Sequence, residues 1–371
     1  MAYKISGTLN ESARILVLKE SDWSIESNVE KSAGDYEIEN LVSGTKTVVA
    51  IDGNGEVVGY GMVSPEFYGG DRGVFGGGKN NESTVNTIEY ITISIFGNAT
   101  DFGDLVISRY RLSATSNGIN DRGVFGGGSD VNRYTVNIIS YITISSLSNA
   151  TDFGDLTIGR NSLAAASNGT NDRGVFGCGY ADNYSNVIDY ITISTTGNAT
   201  DFGDLTVKRS RITATSNAVN DRAVFGGGHS MIAGHYYHDT IDYITISSLG
   251  NALDFGNLTL SRGYIGATSN GINNRGVFGG GYYDDVYSNV IDYITISTTG
   301  NATDFGDLTS ARLNAGATSN GTNDRGVFAG GGGNSGYVNI IDYITISSLE
   351  NATDFGDLTV DKASVAATSN V

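Results

Sequence analysis

Arg122-Gly123-Val124-Phe125-Gly126-Gly127-Gly128 decides the fold, because this run and two later marks return six times at a spacing of about fifty residues. The run starts at Arg72, Arg122, Arg173, Arg222, Arg275 and Arg325, with Ala223, Cys178 and Ala329 as its departures. A second mark, Tyr-Ile-Thr-Ile-Ser, starts at Tyr90, Tyr141, Tyr190, Tyr243, Tyr293 and Tyr343. A third, Asp-Phe-Gly-Asp/Asn-Leu, starts at Asp101, Asp152, Asp201, Asp254, Asp304 and Asp354. A period near fifty with several short strands per unit is the signature of propeller blades.

Each unit reads as four strands, here Leu112 to Ser116, Arg122 to Gly126, Ile138 to Ser145 and Thr151 to Leu156. In the third of these, Tyr141 and Thr143 face one way and Ile142 and Ile144 the other. Bulky groups on both faces suit a sheet covered on both sides, as a blade is between two neighbours. The first unit starts directly at its second strand. The last ends on Val365-Ala366-Ala367-Thr368-Ser369-Asn370, a first strand with nothing after it. Joining the two completes a sixth blade and hides the sheet edges. The expectation is a closed six-bladed β-propeller over 66–371, with blade 1 completed by the C-terminal strand and Val371 beside Asp71.

Residues 1–65 lie outside the repeat. Alternating apolar residues at 13–18, 36–38 and 47–51 read as strands, and Asp52-Gly53-Asn54-Gly55 reads as a tight turn. The expected unit is a small antiparallel β-sandwich ending near Pro65, so the whole chain is expected to be all-β.

The formal net charge is −18, with 22 Lys and Arg against 40 Asp and Glu. Nucleic acid needs clustered cations and is excluded as an expected partner. No apolar run is long enough to span a bilayer, so no membrane insertion is expected. The start of the sequence shows no apolar signal segment, and synthesis in the cytoplasm is the expectation. Cys178 has no second cysteine to pair with and reads as a buried, inert thiol.

The loops divide between two faces. Connections from first to second strand and from third to fourth are nearly identical across units, as in Asn117-Gly118-Ile119-Asn120-Asp121 and Gly197-Asn198-Ala199-Thr200. The remaining loops, on the opposite face, vary. They carry Tyr110, Arg111, Tyr134, Tyr180, Tyr184, Arg211, His229, His235, Tyr236, Tyr237, His238, Tyr264, Tyr282, Tyr283, Tyr287 and Tyr337. Tyr and Arg give large contact area at modest entropy cost, and Tyr stacks on sugar rings. These residues are the candidate binding surface for a glycan or protein. On the uniform face, Arg72, Arg122, Arg173, Arg222, Arg275 and Arg325 are expected to pair between blades with Asp101, Asp152, Asp201, Asp254, Asp304 and Asp354. Calcium on carboxylates such as Asp152 and Asp155 is the alternative there.

No nucleophile–base pair, phosphate loop or kinase motif set accompanies the repeats, so no enzyme, cofactor or metal is expected. The three histidines of residues 229–238 read as part of a solvated loop. Asn98, Asn149, Asn198, Asn301 and Asn351, each in Asn-Ala-Thr, read as turn residues.

The Gly-rich run before an aromatic strand resembles kelch repeats, through all six units. Phe102, Phe153 and their equivalents stand where kelch repeats carry a late Trp. The near-identical units with their Asn-Ala-Thr-Asp-Phe-Gly-Asp-Leu-Thr tail look like propellers of tailed phages, marine ones especially. The stretch Gly34 to Leu41 followed by Val48 to Asp52 resembles a prealbumin-like sandwich of the type seen on phage tail proteins. The resemblance implies a structural virion protein on tail, fibre or baseplate. Residues 1–65 would then dock to other virion proteins and the propeller's variable face would meet the host surface. Virion symmetry is compatible with a homo-oligomer. A cellular kelch-type scaffold or adhesin, and a glycan-active enzyme, are the other readings.

Overall fold

The computed structural model describes the strands of residues 3–67 as paired backbone. It also describes residues 71–369 apart from 118–120, 168–170, 218–219, 232–235, 270–273 and 320–323. Among the described residues every regular element is a β-strand. The chain divides into two compact units, Met1–Gly70 and Asp71–Val371.

The first unit holds two antiparallel sheets. Gly34–Leu41, Tyr3–Leu9 and Glu66–Phe67 form one, and Ile25–Lys31, Ala13–Lys19, Lys46–Ile51 and Val57–Val63 form the other. Ile51 stands opposite Val57, across the expected turn at 52–55, which lies outside the described residues. Glu66–Phe67 pairs with Tyr3 and Lys4. It therefore goes with this unit, whereas the sequence analysis had begun the propeller at residue 66. Pro65 also lies outside the described residues.

The second unit is six four-stranded antiparallel sheets in a propeller arrangement. Blade 2 shows the plan: Ser113–Asn117 innermost, then Arg122–Gly126, Ile138–Thr143 and Thr151–Asp155 outermost. Innermost strands of successive blades neighbour one another around a central channel. Blade 1 draws its innermost strand from the far end of the chain. Ala366–Ser369 pairs antiparallel with Arg72–Gly76, Ala366 opposite Gly76 and Ser369 opposite Gly73. Val371 lies outside the described residues.

The apolar layers lie between blades. Val124, Ile139, Phe153 and Leu156 of blade 2 pack with Leu163, Phe176, Ile191 and Ile193 of blade 3. Equivalent layers join blades 6 and 1 through Val327, Ile341 and Phe355 with Phe75, Ile91 and Ile93. Phe75 and its five equivalents are fully buried, each worth about 1.5–3 kcal/mol in transfer terms.

The motif glycines make this contact possible. A Cβ on Gly126 would stand 2.6 Å from Phe176 Cε1 of the next blade. Gly154 of Asp-Phe-Gly, at φ 146°, would place one 2.4 Å from the Gly197 carbonyl. No larger residue fits either place. Asn198 secures the same outer junction, its Oδ1 accepting from the Asp155 N–H at 3.0 Å. Blade by blade, the Asn of Asn-Ala-Thr is thus a tie to the preceding blade as well as a turn residue.

Candidate functional site

Where each blade's outermost strand links to the next innermost strand, one residue turns the chain at the channel mouth. These are Arg111, Ser162, Arg211, Tyr264, Asn314 and Ser364, all at φ between 55° and 62°. A non-glycine residue pays strain there. The return is a circle of backbone hydrogen bonds. Ser162 N–H donates to the Arg111 carbonyl, Arg211 to Ser162, and Tyr264 to Arg211. Asn314 donates to Tyr264, Ser364 to Asn314, and Arg111 to Ser364. Their distances run from 2.8 to 3.2 Å. The frame is the same in every blade, while its six side chains are of four kinds, Arg, Ser, Tyr and Asn.

Above this circle is a cavity of about 420 Å³, in the range of small-ligand sites. Its walls include Lys79, Tyr110, Arg111, Arg133, Tyr264 and Tyr337. The Arg111 guanidinium carbon lies 5.3 Å from the Tyr110 ring centre and Lys79 Nζ 5.8 Å from the same centre. Arg211 stacks on Tyr264 at 4.5 Å. Burial pushes the Tyr264 phenol up, while Arg211 and Arg111 pull it down. Both cations therefore act on one ring, from its neighbouring blade and from the opposite side of the circle. Below the circle the channel is lined by Ala, Ser and Thr side chains of the innermost strands.

An aromatic row runs outward over blades 3 to 5. Ring centres are 5.3 Å apart for Tyr180–Tyr184, 6.0 Å for Tyr184–His229, 5.0 Å for His229–Tyr237, and 6.1 Å for Tyr237–Tyr282. Tyr282 also meets Tyr264 and Tyr287 at 6.2 and 5.2 Å. Its hydroxyl donates to Asp285 at 2.7 Å, and that bond first, with desolvation, pushes its pKa up to about 12. Desolvation likewise raises Tyr184 and Tyr237.

His229 sits inside the row, buried, its Nδ1 accepting from Arg211 at 3.1 Å and lying 3.3 Å from the Tyr184 hydroxyl. It positions neighbours and offers no open face, unlike the solvated loop residue the sequence suggested. His238 Nε2 is 2.9 Å from Ser230 Oγ, and burial, then Arg209, lowers its pKa. His235 lies outside the described residues. Tyr134 and Tyr236 are exposed, and Tyr283 is half-buried.

On the uniform face the structure does not bring the two expected sets together. Arg122 stacks on Tyr141 of its own blade at 4.6 Å and donates to the Ile193 carbonyl of the next blade at 2.9 Å. Arg72, Arg173, Arg222, Arg275 and Arg325 repeat this with Ile144, Ile246, Ile296, Ile346 and Ile93. Asp101, Asp152, Asp201, Asp254, Asp304 and Asp354 are exposed on the outermost strands. Among the described residues no ion pair joins the sets.

Carboxylate pairing occurs in a column the sequence reading missed. Arg160, Arg209, Arg262 and Arg312 are buried in the next blade against Asp189, Asp242, Asp292 and Asp342, at 2.9 to 3.1 Å. Lys362 meets Glu89 of blade 1 at 2.6 Å. Arg109 has no carboxylate and instead meets Ser140 at 2.6 Å. Arg109, Arg209 and Arg262 belong to links that the sequence analysis assigned to the variable face. Two aligned columns, a cation before each link's turn and an acid before every Tyr-Ile-Thr except that at Tyr141, were the available signal. No protein-family model matches the chain, and no curated protein matches it in sequence.

Proposed function

We propose that the propeller is a non-catalytic recognition module whose variable loop face binds a surface glycan or protein. The observation that carries this reading is the cavity at the channel mouth with its adjoining aromatic row. Both are built from the loops that differ between units on a frame that does not. The phage-like repeat tail and the prealbumin-like stretch support placing it in a tailed-phage virion. There the amino-terminal strands form an attachment sandwich for other virion proteins. The pairing of Ala366–Ser369 with Arg72–Gly76 supports a ring closed by its own C-terminal strand.

Binding of the labelled full chain to candidate host cells tests the reading, beside a variant with 229–238 and 282–287 replaced by Gly-Ser. Binding by the parent and loss in the variant is expected. Equal binding by both moves recognition away from this face. Closure is tested by removing the last ten residues, which is expected to abolish the single cooperative unfolding transition of the propeller.

A further inference from the structure

Lys79, Arg111, Arg133 and Arg211 stand around one mouth in a chain whose net charge is −18. The first three line the same cavity, and its lining residues include no carboxylate. Among the described residues none of the four has an ion-pair partner. Every cation of the buried column except Arg109, by contrast, has an acid within 3.1 Å. Arg111 Nε is shut off from solvent with no hydrogen-bond partner. Gathering like charges costs energy unless an opposite charge arrives. The same walls carry Tyr110, Tyr264 and Tyr337, flat faces of the kind on which sugar rings stack. The cavity volume suits one or two such rings.

We infer that the channel mouth is a subsite for an acidic sugar, with Lys79 and Arg111 on its carboxylate and the tyrosines on its ring. The inference rests on the recognition reading above and names the ligand class for it. Arg111 is suited to the role because its backbone is already spent in the circle of hydrogen bonds. Its guanidinium offers a planar fork to a carboxylate. Arg133, on the rim, extends the positive field toward the next residue of a polyuronate or similar chain. The ligand is bound and released unchanged.

The test is calorimetric titration of the full chain with trigalacturonate and with sialyllactose, each beside its uncharged counterpart, galactotriose or lactose, and with acetate. At least one acidic sugar is expected to bind tenfold or more tighter than its counterpart and than acetate, and to weaken as salt rises. Arg111→Gln and Lys79→Gln are each expected to weaken it about tenfold while leaving the thermal midpoint unchanged. Equal binding of acidic and neutral sugars, binding of acetate alone, or no binding of either acid overturns the inference. The same two variants in the cell assay separate it from the broader reading. If they bind cells as the parent does while the loop replacement does not, recognition stands and the acidic-sugar subsite falls.

Discussion

The junction between blades 2 and 3 and the junction between blades 1 and 2 solve one problem in two ways. At the first, Arg160 is buried against Asp189 at 3.0 Å, and Thr157 Oγ1 donates to the other carboxylate oxygen at 2.6 Å. At the second, Arg109 is equally buried, but Ser140 stands in place of the acid and Val106 in place of the threonine. Arg109 donates to the carbonyls of Phe125, Gly127 and Ile138 and to Ser140 Oγ. Its charge is solvated by dipoles alone, and burial drives its pKa down to about 9. For Arg160 desolvation also lowers the pKa, and Asp189 opposes it. The two sites separate what the blade junction requires, a buried donor that ties backbone carbonyls, from what it only prefers, a countercharge. The carboxylate and its threonine are absent together, as expected of groups that act as a unit.

The largest effect should come from breaking the paired site. Asp189→Ala leaves Arg160 buried without an acid and without the serine hydroxyl that blade 2 supplies. A loss of about 3–5 kcal/mol in urea unfolding is expected, and Asp189→Ser should recover part of it. A loss below 1 kcal/mol for Asp189→Ala would mean that carbonyl dipoles suffice at both junctions.

A smaller, pH-dependent effect belongs to blade 3. Cys178 occupies, at φ 59°, a place where other blades put glycine, and burial pushes its thiol from 9.0 up to about 11. Between those values the folded chain keeps a proton that the unfolded chain has lost. The stabilisation is therefore complete below pH 9 and disappears as pH rises through 11, a difference of about 2–3 kcal/mol. Urea midpoints of the parent should fall across that window more steeply than those of Cys178→Gly. Parallel profiles would show that the thiol does not titrate in place.

The smallest change repairs the unpaired site. Ser140→Asp should stabilise by about 1–3 kcal/mol, and Val106→Thr should add to it only when the acid is present. A double-mutant cycle with no coupling would break the view that the pair works as a unit.

Blade number and strand order were legible because they repeat, and repetition turns one reading into six. The buried Arg–Asp column repeats as well. It was overlooked because the cation sits beside residues that do vary, such as Tyr110 and Arg111, and a charged residue next to a variable loop reads as surface. Exposed Asp101 and its equivalents drew the pairing instead, since sequence spacing shows neither depth nor the pull of a Tyr face on a guanidinium. The loop residues of the candidate site were legible as a set. Their division into a basic mouth and an aromatic row was not, because that depends on which blades lie opposite each other.

The circle of hydrogen bonds at the mouth has a further electrical consequence. Peptide dipoles laid head to tail along a helix leave a positive and a negative end. Laid head to tail around a ring, they sum to nothing across it. The polarity of the opening is therefore written by side chains, those of the rim together with Lys79 and Arg133 beside it, and not by in-plane peptide dipoles. Arg111, Ser162, Arg211, Tyr264, Asn314 and Ser364 are six independent letters. Exchanging one letter changes what the mouth attracts and leaves the rim that holds it intact.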